Sequence, residues 1–451
     1  MKITLIFISS LWLAGCSSSS NSDGGLLPKV QQKAQSCADF RASLPANIAS
    51  SFADVPERPG DPSSPKIKVF FYYHSPIKGR VTLFLNGGPG SSSHSSFWLM
   101  EKTVKSFGLN DKMTFVYMDQ RGTGCSSGYP AASTDDEMFE SGKWYGTRGI
   151  VNDAEVIRQQ LVGNKPWSIF GQSYGAMIAH RYVTIAPQSL DRVVAYANTI
   201  TPDNRMRLSD RMASQVDVWT AYDNVYPGDR DSIALLTQAL TLSVCAKIDD
   251  QNDCGLSLLD SLAGSYLGFH DEWPKLHTWF GKLVVNGAVQ IDQVTRLATL
   301  FSEPYSLARS RNLNAVNYYD RDVRFLNGSS CEVARSDWAL TRPGVEFGSF
   351  LTECSGPLQN NWNTNAYDRV ARHFGGAHDT LTFNDLRPAL AARARNFFLL
   401  YSADLDPYVP ARSFVPEVQA LGDVLTYRNF TDVGHDGFYT KREVFDDFLA
   451  P

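Results

Sequence analysis

Short apolar runs recur along this chain at spacings that suit strands, with helical patterning between them. "IKVFFYY" (67 to 73), "RVTLFLN" (80 to 86) and "MTFVYMD" (113 to 119) predict three strands. "VNDAEVIRQQL" (151 to 161) then puts Val151, Ala154, Ile157 and Leu161 on one helical face, and "WSIFG" (167 to 171) and "RVVAYAN" (192 to 198) return to strand. This strand-helix-strand rhythm predicts the α/β class, with a mostly parallel, doubly wound sheet. From about 203 to 392 the texture changes to helix-like stretches such as "DSIALLTQALTLSV", polar loops, and Trp219, Trp273, Trp279, Trp338 and Trp362. The rhythm resumes at "RNFFLLYS" (395 to 402) and "DVLTYRNF" (423 to 430). The expected organisation is a core over 56–202 and 393–451, interrupted after its sixth strand by a large, mainly helical insertion over 203–392 that caps the sheet.

The first residues stand apart from this pattern. Lys2 and the apolar stretch from Ile3 to Gly15 read as a secretory signal, and Leu13-Ala14-Gly15-Cys16 resembles the bacterial lipoprotein signal, in which the cysteine receives the lipid. Residues 1–15 are thus expected to be removed, Cys16 to be lipidated, and 16–55 to form a Ser- and Gly-rich tether and N-terminal segment. Ser17, which lacks an aspartate retention cue, points to the outer membrane of a bacterial cell envelope. With 43% hydrophobic residues, 20% charged residues and a formal net charge of -5, the composition is that of an ordinary globular protein. It offers no basic block for nucleic acid and names no partner. The six cysteines after Cys16 are an even number in a chain bound for an oxidising compartment, so disulfides are expected among Cys37, Cys125, Cys245, Cys254, Cys331 and Cys354. Local closure would join Cys245 to Cys254 and Cys331 to Cys354 and leave Cys37 for Cys125, with other pairings open. Their spacing resembles no zinc site, and no metal is expected.

The candidate chemistry centres on Gly171-Gln172-Ser173-Tyr174-Gly175, which follows a predicted strand and precedes the helix-like "AMIAHRYVTIA". A serine on so tight a strand-to-helix turn is forced outward, and side chains in place of the flanking glycines would collide with neighbouring backbone. Its hydroxyl needs a base, and the base needs a partner that holds its tautomer. Downstream, in the order expected of such a sheet, "LLYSADLDPYVP" offers Asp406, with Asp404 as competitor, and "VGHDGF" offers His435. Both follow predicted strands, where open parallel sheets place their reactive loops. "NGGPGSSS" (86 to 93) supplies bare backbone for an oxyanion, with the amides of Gly88 and Tyr174 as the expected donors. Such a mechanism requires no cofactor.

With these residues in view, the chain resembles the alpha/beta-hydrolase peptidases of the prolyl aminopeptidase (proline iminopeptidase) and tripeptidyl aminopeptidase group. "NGGPG" (86 to 90), "DQRGTGCSS" (119 to 127), "VNDAEVIRQQL", "GQSYG", "DPYVP" and "GHDGF" match that group's motifs in order, over about 80 to 202 and 395 to 440. Asn86 and Ala403 depart from the group's usual residues. The resemblance implies an alpha/beta-hydrolase fold and a serine peptidase that releases N-terminal residues or short peptides through an acyl-enzyme. It also places the acid at Asp406, four residues before Pro410. Short peptides are the implied substrates, and cap carboxylates are implied to hold the substrate ammonium. Glu272, Glu303, Glu332 and Glu346 are available for that, none favoured. The same triad would equally serve an esterase or lipase, a carboxypeptidase-like exopeptidase could share the glycine loop, and a non-catalytic binding lipoprotein could retain the fold.

Overall fold

The computed structural model describes residues 36–129, 134–198, 208–229, 266–293, 381–409 and 411–450, with a few positions between 231 and 239. Cys16, Cys245, Cys254, Cys331, Cys354, Glu303, Glu332 and Glu346 lie outside the described residues. Among the described residues no helix is long and apolar enough to cross a membrane.

Eight strands form one sheet in the order β1-β2-β4-β3-β5-β6-β9-β10: β1 (Ile48–Pro56), β2 (Lys66–His74), β3 (Arg80–Leu85), β4 (Met113–Met118), β5 (Trp167–Gln172), β6 (Leu190–Tyr196), β9 (Phe398–Leu405) and β10 (Thr426–Gly434). From β4 to β10 every neighbouring pair is parallel, and β1 and β2 are added antiparallel at one edge. The helices of the core are α1 (Cys37–Ser43), α2 (His94–Ser106), α3 (Asp135–Gly142), α4 (Thr147–Val162), α5 (Tyr174–Ile185), α8 (Phe383–Ala391), α9 (Val415–Leu421) and α10 (Arg442–Leu449). Helix α8 falls within the span 203–392 expected to be insertion, but its Phe383, Leu386 and Leu390 join the core beside α5, so the core resumes before 393. The strand runs are apolar at consecutive positions because both faces are covered. Leu83, Leu85, Ile169, Val193, Ala195, Phe398 and Leu400 face one core, which α4, α5, α8 and α9 close. Phe84, Phe170, Val194, Tyr196, Leu399 and Tyr401 face the other, closed by α2 and α10. Alternate residues of each strand thus divide between the two layers, as a period of two requires.

The predicted alpha/beta-hydrolase fold is therefore the fold observed, with strand ends displaced by a few residues. The strand Ile48–Pro56 is an addition: it lies in the span assigned to the tether and N-terminal segment, and it makes β6 the sixth core strand, after which the insertion begins. In the insertion, α6 (Leu208–Val225) and α7 (Trp273–Leu283), with a small hairpin of β7 (Val284–Val285) and β8 (Ala288–Val289), pack around Tyr222, Trp219, Trp273, Leu276 and Phe280. Leu405, at the end of β9, packs against this cluster.

His180, on the buried α5, lies between the Phe383 and Phe398 rings, and neither ring nitrogen has a hydrogen-bond partner among the described residues. Burial pushes its pKa down to about 3, so the folded protein keeps it neutral where the unfolded chain would take up a proton. Its contribution is complete above the unfolded value near 6.5 and is lost as pH falls from there toward 3, at about 1.4 kcal/mol per pH unit. A His180→Leu variant is expected to be more stable than wild type, by a margin that widens on acidification. Urea unfolding at pH 7 and pH 5 measures this, and an unchanged margin would contradict the assignment.

Candidate active site

Five segments at the carboxyl ends of parallel strands build the site. The glycine loop 86–93 follows β3, the 119–127 loop follows β4, Ser173 follows β5, and Asp406 and His435 follow β9 and β10. Ser173 has φ 57° and ψ -120°, a conformation that L residues adopt only where the surroundings impose it. The imposing contacts are backbone: the Ser173 amide donates to the Tyr196 carbonyl at 2.9 Å, and α5 begins at the next residue. A methyl group on Gly171 would strike the Gly175 carbonyl, and one on Gly175 would strike the Leu85 carbonyl. This is the close approach that the Gly-x-Ser-x-Gly spacing anticipates.

His435 Nδ1 donates to Asp406 Oδ2 at 2.8 Å, and both residues are buried, with Asp406 fully so. The second oxygen of Asp406, Oδ1, accepts the amides of Tyr408 and Val409, each at 2.9 Å. The carboxylate is thereby fixed, and it fixes the imidazole tautomer that leaves Nε2 as the acceptor. Asp404 is elsewhere, exposed and accepting from Asn429 Nδ2 at 2.7 Å. Two contacts bind the insertion to these loops. Ser214 Oγ donates to the Asp406 carbonyl at 2.6 Å, and the His435 amide donates to the Gly268 carbonyl at 2.8 Å. Glu272, one of the carboxylates considered for a substrate amine, is engaged by Lys275 Nζ at 2.5 Å.

The glycine loop lies against the elbow. An ideal Cβ on Gly87 would stand 2.7 Å from Gln172 Oε1 and 3.1 Å from Ser173 Cβ, whereas one on Gly88, at φ 139°, would meet the amides of Gly90 and Ser91. Gly87 is thus the direct neighbour of Ser173, and Gly88 takes the backbone conformation that turns the chain. Tyr174 opens α5.

In the sequence "DQRGTG" carries only a resemblance; in the structure it braces the glycine loop. Asp119 Oδ1 accepts the Ser93 amide and hydroxyl, each at 2.8 Å, and its Oδ2 accepts the Cys125 amide at 2.7 Å and His94 Nε2 at 2.8 Å. Gln120 Nε2 donates to the Asn86 carbonyl at 3.1 Å. The two residues therefore hold both ends of the glycine loop. Arg121, fully buried, pairs with Asp153 of α4 through Nε at 2.7 Å and Nη2 at 2.5 Å, and caps the carbonyls of Pro56, Glu57 and Trp144. Burial works against the guanidinium charge, and the neighbouring Asp153 more than offsets it, holding the Arg121 pKa above its ordinary value. Cys125 is joined to Cys37, with Cα atoms 5.0 Å apart, and this ties α1 to the same loop, while Phe40 of α1 stacks on the His94 ring at 3.5 Å. His94, Asp119 and Cys125 bring metal-ligand atoms within 4.8 Å of one another, but each is engaged in the bonds just described.

Comparison with known sequences agrees with this architecture. A sequence family described as alpha/beta hydrolase fold matches residues 81–251. A putative proline iminopeptidase of Mycoplasma genitalium is 30% identical over 126 residues, 28% of this chain and 35% of that protein. The proline iminopeptidase of Aeromonas sobria is 32% identical over 119 residues, 25% of this chain and 26% of that protein. The chain thus spans about a third or less of the length of these relatives. An acetylester hydrolase of Corynebacterium glutamicum superposes with a TM-score of 0.44 at 14% identity, covering 89% of this chain and 96% of that one.

Proposed function

Taking the alpha/beta-hydrolase fold of this chain as the premise, we propose that it is a serine peptidase that releases N-terminal residues or short peptides from peptide substrates. The observation that supports this most is the 2.8 Å bond between His435 and Asp406, at the same edge of the sheet as a serine held at φ 57° on a strand-to-helix elbow. In this reading Ser173 attacks the scissile carbonyl while His435 Nε2 takes its proton and then returns it to the leaving amine. Asp406 keeps the imidazole in the required tautomer and offsets its charge. The amides of Gly88 and Tyr174 receive the oxyanion, and water resolves the acyl-enzyme by the same route.

The partial likeness to proline iminopeptidases supports the aminopeptidase direction over an esterase. The contacts of Ser214 and Gly268 with the acid and histidine loops support a cap beside the reacting groups that would admit short peptides. A lipid anchor on Cys16 and an outer-membrane location complete the reading, supported by the first residues of the sequence and by a disulfide of the kind that persists in oxidising compartments.

The test uses three measurements on the full chain. A fluorophosphonate should label the wild-type protein. Aminoacyl or tripeptidyl anilides with a free amino terminus should be turned over faster than simple acyl nitrophenyl esters, and acetylating that terminus should suppress cleavage. Ester-only turnover would replace the peptidase with an esterase, cleavage indifferent to acetylation would make it a carboxypeptidase-like or endo-acting enzyme, and absence of labelling would remove the catalytic reading.

A further inference from the structure

Two residues outside the triad sit immediately beside it in the chain and meet across the site. Gln172 precedes Ser173, Asp436 follows His435, and Gln172 Nε2 donates to Asp436 Oδ1 at 2.9 Å, both side chains being buried. Resting on the serine-hydrolase reading above, we propose that Asp436 is a positioning residue which, through Gln172, locks the nucleophile elbow, the glycine loop and the histidine loop together, and whose ionisation tunes the basicity of His435.

The mechanical part follows from where Gln172 points. Its Nε2 is on Asp436 and its Oε1 lies against Gly87, so one amide bridges the histidine loop and the strand end from which the oxyanion donors are presented. The loop that carries Asp436 is held on its other sides too. The Tyr196 hydroxyl donates to the Gly434 carbonyl at 3.0 Å and accepts from the Gly437 amide, and the His435 amide donates to Gly268. With 434, 435, 436 and 437 all pinned, the Asp436 carboxyl has little freedom to turn toward water.

The electrostatic part follows from the surroundings of that carboxyl. Burial raises it to about 7, with the Asp406 carboxylate adding to the rise and His435 opposing it. The groups that face it are His435 on its own loop, Asp406 beyond β9, Tyr196 on β6 and the neutral Gln172 on β5. The Asp432 and Lys441 pair lies further out, exposed on the Asp432 side. When Asp436 is ionised, His435 has carboxylates on two sides and its imidazolium is harder to discharge. When Asp436 is protonated, Asp406 alone acts on it. The two charges are therefore coupled, and any apparent titration values belong to the pair.

The experiment is Asp436→Asn, which can still accept the Gln172 bond but carries no charge. Melting temperature and fluorophosphonate labelling establish that the variant is folded and that Ser173 still reacts. The midpoint of the acid limb of kcat/KM, and independently the pH midpoint of the His435 Nδ1 proton resonance, should both fall by about half a pH unit or more. The limb should also narrow toward a single ionisation, with plateau kcat within about threefold of wild type, since the isosteric bond is kept. If both midpoints stay where they are in wild type, Asp436 is a structural residue only and the proposal fails. A wild-type protein that labels with no fluorophosphonate would end the hydrolase reading, while the resonance midpoint would still decide whether Asp436 tunes His435.

Discussion

Ser173→Ala is expected to lower kcat by on the order of 10⁶-fold while leaving the melting temperature close to that of wild type. In the proposed mechanism the loss is large because Ser173 is the group that forms the acyl-enzyme, and without it His435 and Asp406 have no proton to relay. The stability is nearly unchanged because alanine at 173 inherits the φ of 57° and all the backbone contacts that impose it, including the amide bond to Tyr196. A second variant separates the two effects. Ser173→Gly should be equally inactive, yet more stable than Ser173→Ala by about 1 kcal/mol, because glycine adopts positive φ without the steric cost. Steady-state turnover of a free-amine peptide anilide, fluorophosphonate labelling and thermal melts of the three proteins are sufficient. If Ser173→Ala retained more than about one hundredth of wild-type turnover, the nucleophile would lie elsewhere.

The readable parts of this chain are those where one local rule governs both pattern and structure. Mostly apolar stretches such as 113–118 and 398–403 mark strands covered on both faces, and the two glycines around Ser173 mark a turn at which side chains would meet backbone. What could not be read depends on contacts between distant segments. The strand Ile48–Pro56 carries Ser50, Ser51 and Asp54 and buries little beyond Ala53 and Val55, so it looks like part of a polar tether until β2 is present to pair with it. Arg121 and Asp153 are each ordinary charged residues in sequence, and their meeting inside the fold requires the end of β1, the loop after β4 and α4 at once. Gln172 fills the unspecified position of Gly-x-Ser-x-Gly and Asp436 has no place in the Ser-acid-His order, so their signal in the sequence was adjacency to the candidate nucleophile and base. Local closure left Cys37 for Cys125, and their Cα atoms are 5.0 Å apart in the structure.

Asp406 and Asp404, indistinct by composition, should separate by about four orders of magnitude in turnover. In Asp406→Asn the side-chain oxygen can remain on the amides of Tyr408 and Val409, so the loop keeps its shape, and the new amide nitrogen is what faces His435 Nδ1. An amide N–H can only donate there, which forces the proton of the neutral imidazole onto Nε2 and leaves no lone pair to receive the Ser173 proton. Loss of the correct tautomer in a preserved geometry lowers kcat about 10⁴-fold, and the imidazolium also loses its counter-charge. Asp404→Asn, by contrast, alters an exposed carboxylate that accepts from Asn429, and its turnover should stay within about twofold of wild type. Raising the pH should restore part of the Asp406→Asn activity as hydroxide replaces the missing base, with no such gain for Asp404→Asn. Equal losses in the two variants, or the larger loss in Asp404→Asn, would mean that the 2.8 Å bond between His435 and Asp406 holds the fold rather than the reaction.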